Sequence, residues 1–345
     1  MRRTIPVLFL LALLFANSDL TAQNKHPFIE ILDSGMQTSL RGLSVVNDNI
    51  VWVSGSNGVV GRSSNGGKNW KWITVKGFEK NDFRDIEAFD ASTAVMLSIG
   101  EPAYILKTHD GGESWKIVYE NKTKGMFLDA FDFSTPANGI VIGDPVDGHF
   151  FMAKTTDGGE TWNSLTTDER PTANTGEAFF AASGTNISLL YNQSLFLASG
   201  GVQSHLFINN EKISIPILQG RETTGANSVA VWDDYRKNAG SRIIIVGGDF
   251  NHPDSTRLNC AYSENRGRSW KQPHTAPHGY RSCVEYLSKK EIISCGLNGV
   301  DYSYDGGKNW SLISNSGFHS CQAAKFGTAV FLSGNNGKIA RLRIN

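Results

Sequence analysis

The sequence predicts an all-β fold, a propeller of seven four-stranded blades around a central axis, and three observations carry that prediction. Short runs rich in Val, Ile, Phe and Trp alternate with Gly, Asn and Asp clusters, which is the strand-and-turn rhythm of a β protein. No interior stretch sustains a helical period, which argues against a nucleotide-binding α/β sheet, a helical bundle or a coiled coil. One eight-residue pattern, Ser/Thr-x-Asp/Asn-x-Gly-x-x-Trp, recurs five times.

The copies are Ser63–Trp70, Thr108–Trp115, Thr155–Trp162, Ser263–Trp270 and Ser303–Trp310. A short Asp or Asn side chain accepts backbone N–H groups two or three residues on, glycine allows positive φ in a tight hairpin, and Trp packs its ring on the blade. Asn65, Asp110, Asp157, Asn265 and Asp305 are therefore read as turn-formers. Successive Trp residues lie 45 (70 to 115), 47 (115 to 162), 108 (162 to 270) and 40 (270 to 310) positions apart. The long gap holds two blades, one of which has lost its box. Its hairpin is expected at His205–Lys212, where Asn209-Asn210 marks the turn but no Trp follows.

Six blades then run from Leu40 to about Ser314. The C-terminal piece offers three strands, Cys321–Lys325, Ala329–Ser333 and Lys338–Leu342, and Phe28–Leu32 near the N-terminus can supply the fourth. A seventh blade shared by both ends closes the ring and removes open edges.

The N-terminus reads Met1-Arg2-Arg3, then an apolar run from Ile5 to Phe15, then Thr21-Ala22-Gln23. That is the layout of a secretory signal peptide over residues 1–23, leaving a propeller over 24–345 that is periplasmic or secreted, without a transmembrane anchor, and monomeric. The chain carries 33 basic and 33 acidic residues, so no net charge draws it to nucleic acid. Cys260, Cys283, Cys295 and Cys321 contain no CxxC pair, which argues against a zinc site; export permits disulfides, and buried thiols are the alternative. His274 and His278 are flanked by Pro273 and Pro277, and Asp249–Asp254 lacks the spacing of a calcium loop. No metal and no cofactor are expected.

Stacking the first residues of each blade gathers charge in two columns: Arg41, Arg84, Arg281 and His319 in one, Asp85, Asp129 and Glu177 in the next. The loops between second and third strands, which reach the same face, add Glu101, Asp144 and Asp249. Strand starts that need only apolar packing have no use for such charge. The reading is a mixed-charge channel mouth that takes a polar ligand, either an acidic glycan or a protein segment, set against charges that merely pair across the ring.

The Thr-x-Asp-Gly-Gly-x-x-Trp form of the box resembles the Asp-box or BNR repeat, and with seven blades and an export signal the chain resembles the photosystem II stability/assembly factor family. That resemblance implies a role in assembling a protein complex through an arginine-bearing surface. The sialidase-like propellers share the box and imply the competing reading, a glycoside hydrolase. There Arg41, Arg84 and Arg281 would clamp a carboxylate, and Glu177, Asp129 or Asp85 would serve as the acid/base pair. The Arg-Ile-Pro motif of sialidases is missing, and no Tyr can be placed beside an acid.

Overall fold

The computed structural model describes residues 26–32, 36–232 and 239–344. The expected signal segment and most of the polar hairpin after Trp232 lie outside the described residues. Seven antiparallel sheets surround an axis, as the repeat requires. Blade 1 is built from Leu40–Val45, Val51–Gly55, Val59–Ser63 and Lys71–Thr74, inner to outer, and blades 2, 3 and 6 repeat this order. Blade 7 pairs Ser320–Ala323, Val330–Ser333 and Ile339–Ile344 with the N-terminal Pro27–Leu32, which runs antiparallel from Pro27 opposite Ile344 to Leu32 opposite Ile339. The two ends of the chain thus close the ring in one sheet.

The box works as a hairpin clasp. In the second copy the Thr108 hydroxyl donates to Asp110 at 2.8 Å and accepts the Gly112 amide at 3.0 Å, while Asp110 accepts the Ser114 amide at 3.0 Å. The same hydroxyl-to-glycine bond closes all five copies. The acid or amide reaches four residues on in every copy, one beyond the expected two or three, and in the last copy Asp305 also accepts the Lys308 amide at the expected three. In blade 4 a plain two-residue turn, Asn209-Asn210, joins His205–Ile208 to Glu211–Ser214 as expected. Asn209 takes the positive φ of 54° that Asn tolerates.

Apolar side chains do not converge on the axis. They form clusters wedged between neighbouring sheets, such as Trp52, Met96 and Leu106 between blades 1 and 2, or Phe150, Phe179 and Phe207 between blades 3 and 4. Sheets packed like wedges bury both faces, and their innermost edges are left to line a polar axis.

The fourth blade departs from the expectation. Its inner strand is Ile187–Leu189, not the stretch around Glu177 that aligns by sequence with the other strand starts. Glu177–Ala178 instead pairs with Gly200–Gly201, which continues into the sheet of blade 5 (Thr224–Trp232, Arg242–Asp249 and Cys260–Ser263). Between them residues 179–186 leave the sheet and enter the axis.

Candidate functional site

The axial segment 179–186 is a plug that every blade holds. The Phe179 amide donates to Asp144 at 3.1 Å and its ring packs 4.1 Å from that of Phe150 in blade 3. Arg41 of blade 1 donates to the Ala182 carbonyl at 3.2 Å, and Arg84 of blade 2 to the Ala181 carbonyl at 3.3 Å. The Ser183 hydroxyl donates to the Ser282 carbonyl in blade 6 at 2.7 Å, and Ser320 of blade 7 donates to the Ser183 carbonyl at 3.2 Å. Thr185 meets the Ser228 hydroxyl of blade 5 at 2.7 Å. Gly184, at φ +72°, lies so close to Asp85 that a β-carbon there would come within 2.5 Å of its carboxyl group. Polar side chains on the inner strands are thus consumed in satisfying a buried stretch of backbone.

The plug divides the axis into two unlike halves. On the face where the inner strands begin, the mouth holds Arg41, Arg84, Asp82 and His319. Arg84 pairs with Asp82 at 2.9 Å, and burial together with the nearby Arg84 charge lowers the pKa of Arg41. His319 is almost fully buried, and burial and the Arg41 charge bring its pKa down to about 4, so the ring is neutral. Its Nε2 lies 2.8 Å from Asn335 Oδ1, which also accepts from Ser39 at 3.0 Å. Asp129 is buried beside this group with both oxygens lacking a well-formed hydrogen bond. Burial, reinforced by Asp144, pushes its pKa well above the carboxylate range; Arg84 and the Ala181 amide offset this only in part. Burial likewise brings Asp144 up to about 6.

Of the ten residues singled out from sequence, Arg41, Arg84, His319, Asp129 and Asp144 therefore come together. The others do not. Arg281 is fully buried inside blade 6, where Nε meets Asp301 at 2.6 Å and Nη1 meets Asn298 at 2.7 Å. The reason is register. A bulge follows Leu40, Phe83, Leu128 and Ala226, and the bulged residues, Arg41, Arg84, Asp129 and Asn227, turn to the mouth. In blade 6 a β-carbon on Gly296 would strike the Tyr280 carbonyl, as one on Gly55 would strike that of Ser39, so Arg281 occupies the place of Leu40. Stacking by sequence misplaced Arg281 and Asp129 by one position each, and one position exchanges the faces.

Glu177 belongs to a separate clasp in blade 4. His205 and Lys212 each meet it at 2.9 Å, and Ser199 and the Asn174 amide complete the set. Burial opposes ionisation there, but these bonds prevail and bring its pKa down to about 2. Asp249 caps its own loop through the Asn251 amide and His252, at 3.0 and 2.8 Å. Glu101 is exposed and accepts the Gly125 amide at 2.9 Å. Asp85 faces the plug and ties blade 2 to blade 3, its oxygens accepting the Ile86 and Phe131 amides at 2.9 Å each.

Beyond the plug, toward the face of the boxes, lies a cavity of about 980 Å3 whose lining includes Glu87, Asp132, Ser188, Glu285, Gln322 and Lys325. Lys325 pairs with Glu87 at 2.5 Å. Burial pushes Asp132 up to about 6 and Glu285 up to about 8. Sequence reasoning stopped one step short of this ring: Ser44, Glu87, Asp132, Ala230, Glu285 and Gln322 stand two residues past the plug-facing positions of their strands, at the spacing that returns to the same face.

Residues 21–126, which span blades 1 and 2, match the model of the family described as photosynthesis system II assembly factor YCF48, and residues 301–312 match the BNR/Asp-box repeat. No curated protein sequence matches the chain. Among solved structures it is similar to YCF48 bound to a D1 peptide, with TM-score 0.63 and 14% identity over 91% of this chain and 96% of that one. YCF48 from Cyanidioschyzon merolae gives 0.64 and 15% over 91% and 98%, and the WD40 propeller domain of Doa1 gives 0.61 and 13% over 92% and 97%. At such identities the structural likeness establishes the fold, and the expected resemblance is carried by the boxes and the first two blades.

Proposed function

We propose that this chain is an exported, assembly-factor-like scaffold that binds a carboxylate-bearing segment of a partner protein at the mouth of Arg41, Arg84, Asp82 and His319. The supporting observation is a surplus of donors. A guanidinium offers five N–H groups in a fixed fork, yet Arg41 makes one hydrogen bond and Arg84 makes two among the described residues. Two neighbouring arginines already committed to carbonyl oxygens of the plug keep donors for a further carboxylate or main-chain carbonyl. The similarity to a propeller solved with a bound peptide agrees with this reading.

Nothing in the geometry favours glycan hydrolysis. The Glu177 carboxylate is fully engaged in blade 4, Asp129 is sealed, and neither shares a partner with Asp85. The test is fluorescence anisotropy of peptides with a free C-terminal carboxylate, beside acidic oligosaccharides whose products are analysed. Peptide binding that weakens on Arg41→Ala and Arg84→Ala supports the proposal; oligosaccharide cleavage would replace it with the enzymatic one.

A further inference from the structure

Spacing along the chain gave the cysteines no metal-binding pattern, but the fold brings three of them together. The Sγ atoms of Cys283, Cys295 and Cys321 all lie within 4.8 Å of one another. Cys283 and Cys295 face each other across the two inner strands of blade 6, while Cys321 comes from the inner strand of blade 7. All three are fully buried, and none is disulfide-bonded. Cys260 lies apart, in the cluster between blades 5 and 6.

Hydrogen-bonding groups converge on one of the three sulfurs. Cys283 Sγ accepts the Cys321 amide at 3.3 Å and the Thr185 hydroxyl of the plug at 3.5 Å. Its own proton lies toward the Cys321 carbonyl at 3.2 Å. A backbone N–H and a hydroxyl aimed at a sulfur orient it and tune it as a metal ligand.

We infer that Cys283, Cys295 and Cys321 form a trigonal all-sulfur site for a soft monovalent cation, Cu(I). The donor set selects the metal. Zinc takes four ligands, the fourth being a protein group or water. Among the described residues no His, Asp or Glu completes this cluster, and the three sulfurs have no exposure to water. Soft thiolates without oxygen or nitrogen partners select Cu(I). Each thiol that ligates gives up its proton to solvent, so binding tightens as pH rises. No electron is transferred. The ion would cross-link two blades beside the plug, with the axial cavity lined by Thr185, Val284 and Gln322 as the nearest opening.

The test is an anaerobic titration of the purified, reduced protein against Cu(I) held by a competing chelator, followed to completion. The expected result is equimolar transfer with an ultraviolet thiolate-to-copper band. Cys283→Ser, Cys295→Ser and Cys321→Ser should each weaken transfer by more than the ~10–100-fold that losing an outer-shell partner costs, whereas Cys260→Ser leaves it unchanged. Circular dichroism and melting curves separate a lost site from a lost fold. Thr185→Val, which keeps all three sulfurs, should shift the affinity and the band without abolishing them. No transfer to a folded protein, transfer indifferent to Cys283→Ser, or preferential binding of Zn(II) would each overturn the inference, as would a Cys283–Cys295 disulfide whose reduction restores no copper binding.

Discussion

Replacing Asp301 by Ala tests whether Arg281 is a structural charge or a ligand-binding one. Both side chains are fully excluded from solvent, and Asp301 also accepts from His278 Nδ1 at 2.7 Å. The substitution strands a guanidinium inside blade 6 with only Asn298 and the Tyr280 carbonyl as partners, at 2.7 and 2.8 Å. Breaking a buried pair from one side costs about 3–5 kcal/mol. Unfolding entropy near 2.1 cal/mol/K per residue gives a chain of this size about 0.7 kcal/mol per degree, so the melting temperature should fall by roughly 4–7 °C. Calorimetry at neutral pH reads the shift, and peptide affinity measured on the folded protein should not change. The double variant Arg281→Met/Asp301→Leu removes both charges and should recover most of the loss, because well-packed apolar groups replace a buried pair at little cost. A loss below about 1 kcal/mol, the range of solvated surface pairs, would refute the placement of Arg281 in the blade interior.

Other substitutions separate the clasp, the plug and the cavity. Glu177→Gln should cost roughly 2 kcal/mol, the value of hydrogen bonds to charged groups, without altering peptide affinity; an affinity loss at unchanged stability would return Glu177 to the binding site. The wild-type contribution of Glu177, whose pKa falls from 4.5 to about 2 on folding, is present above pH 4.5 and lost as pH falls toward 2. Gly184→Val places a branched side chain at φ +72° against Asp85 and should destabilise by more than about 2 kcal/mol, seen as a lower urea midpoint. Glu285 has the opposite sign: its pKa rises from 4.5 to about 8, so the native state holds its proton longer and stability declines as pH climbs through that window. Glu285→Gln should flatten the decline, and urea midpoints that fall equally in wild type and variant would refute it.

The blades were legible because the box repeats its chemistry at fixed positions: hydroxyl, short acid or amide, glycine and Trp each have a local job. Even the unboxed hairpin at Asn209-Asn210 and the shared closing blade followed from turn residues and strand counting. The plug was not legible. Residues 179–186 obey no repeat, and nothing in their spacing marks a segment to which six other blades bond. The mouth was legible in part, since Arg41, Arg84 and His319 sit at aligned strand starts. The bulge defeated part of the rest, because one extra residue reverses which side chains face the axis, so Arg281 and Asp129 were each aligned one position off, while Glu177, Asp249 and Glu101 were drawn away by local partners. The cysteine trio was invisible for a related reason: strand pairing and blade contact, not sequence spacing, make those three sulfurs neighbours.

The most direct measurement selects peptides with free C-terminal carboxylates from a displayed library against the folded protein and compares their dissociation constants across Arg41→Ala, Arg84→Ala and the remote control Arg343→Ala. Selected peptides that bind the wild type and the control alike, and lose affinity stepwise with each mouth arginine removed, are the predicted result. Peptides that bind all three variants equally would place recognition elsewhere on the molecule and contradict the account.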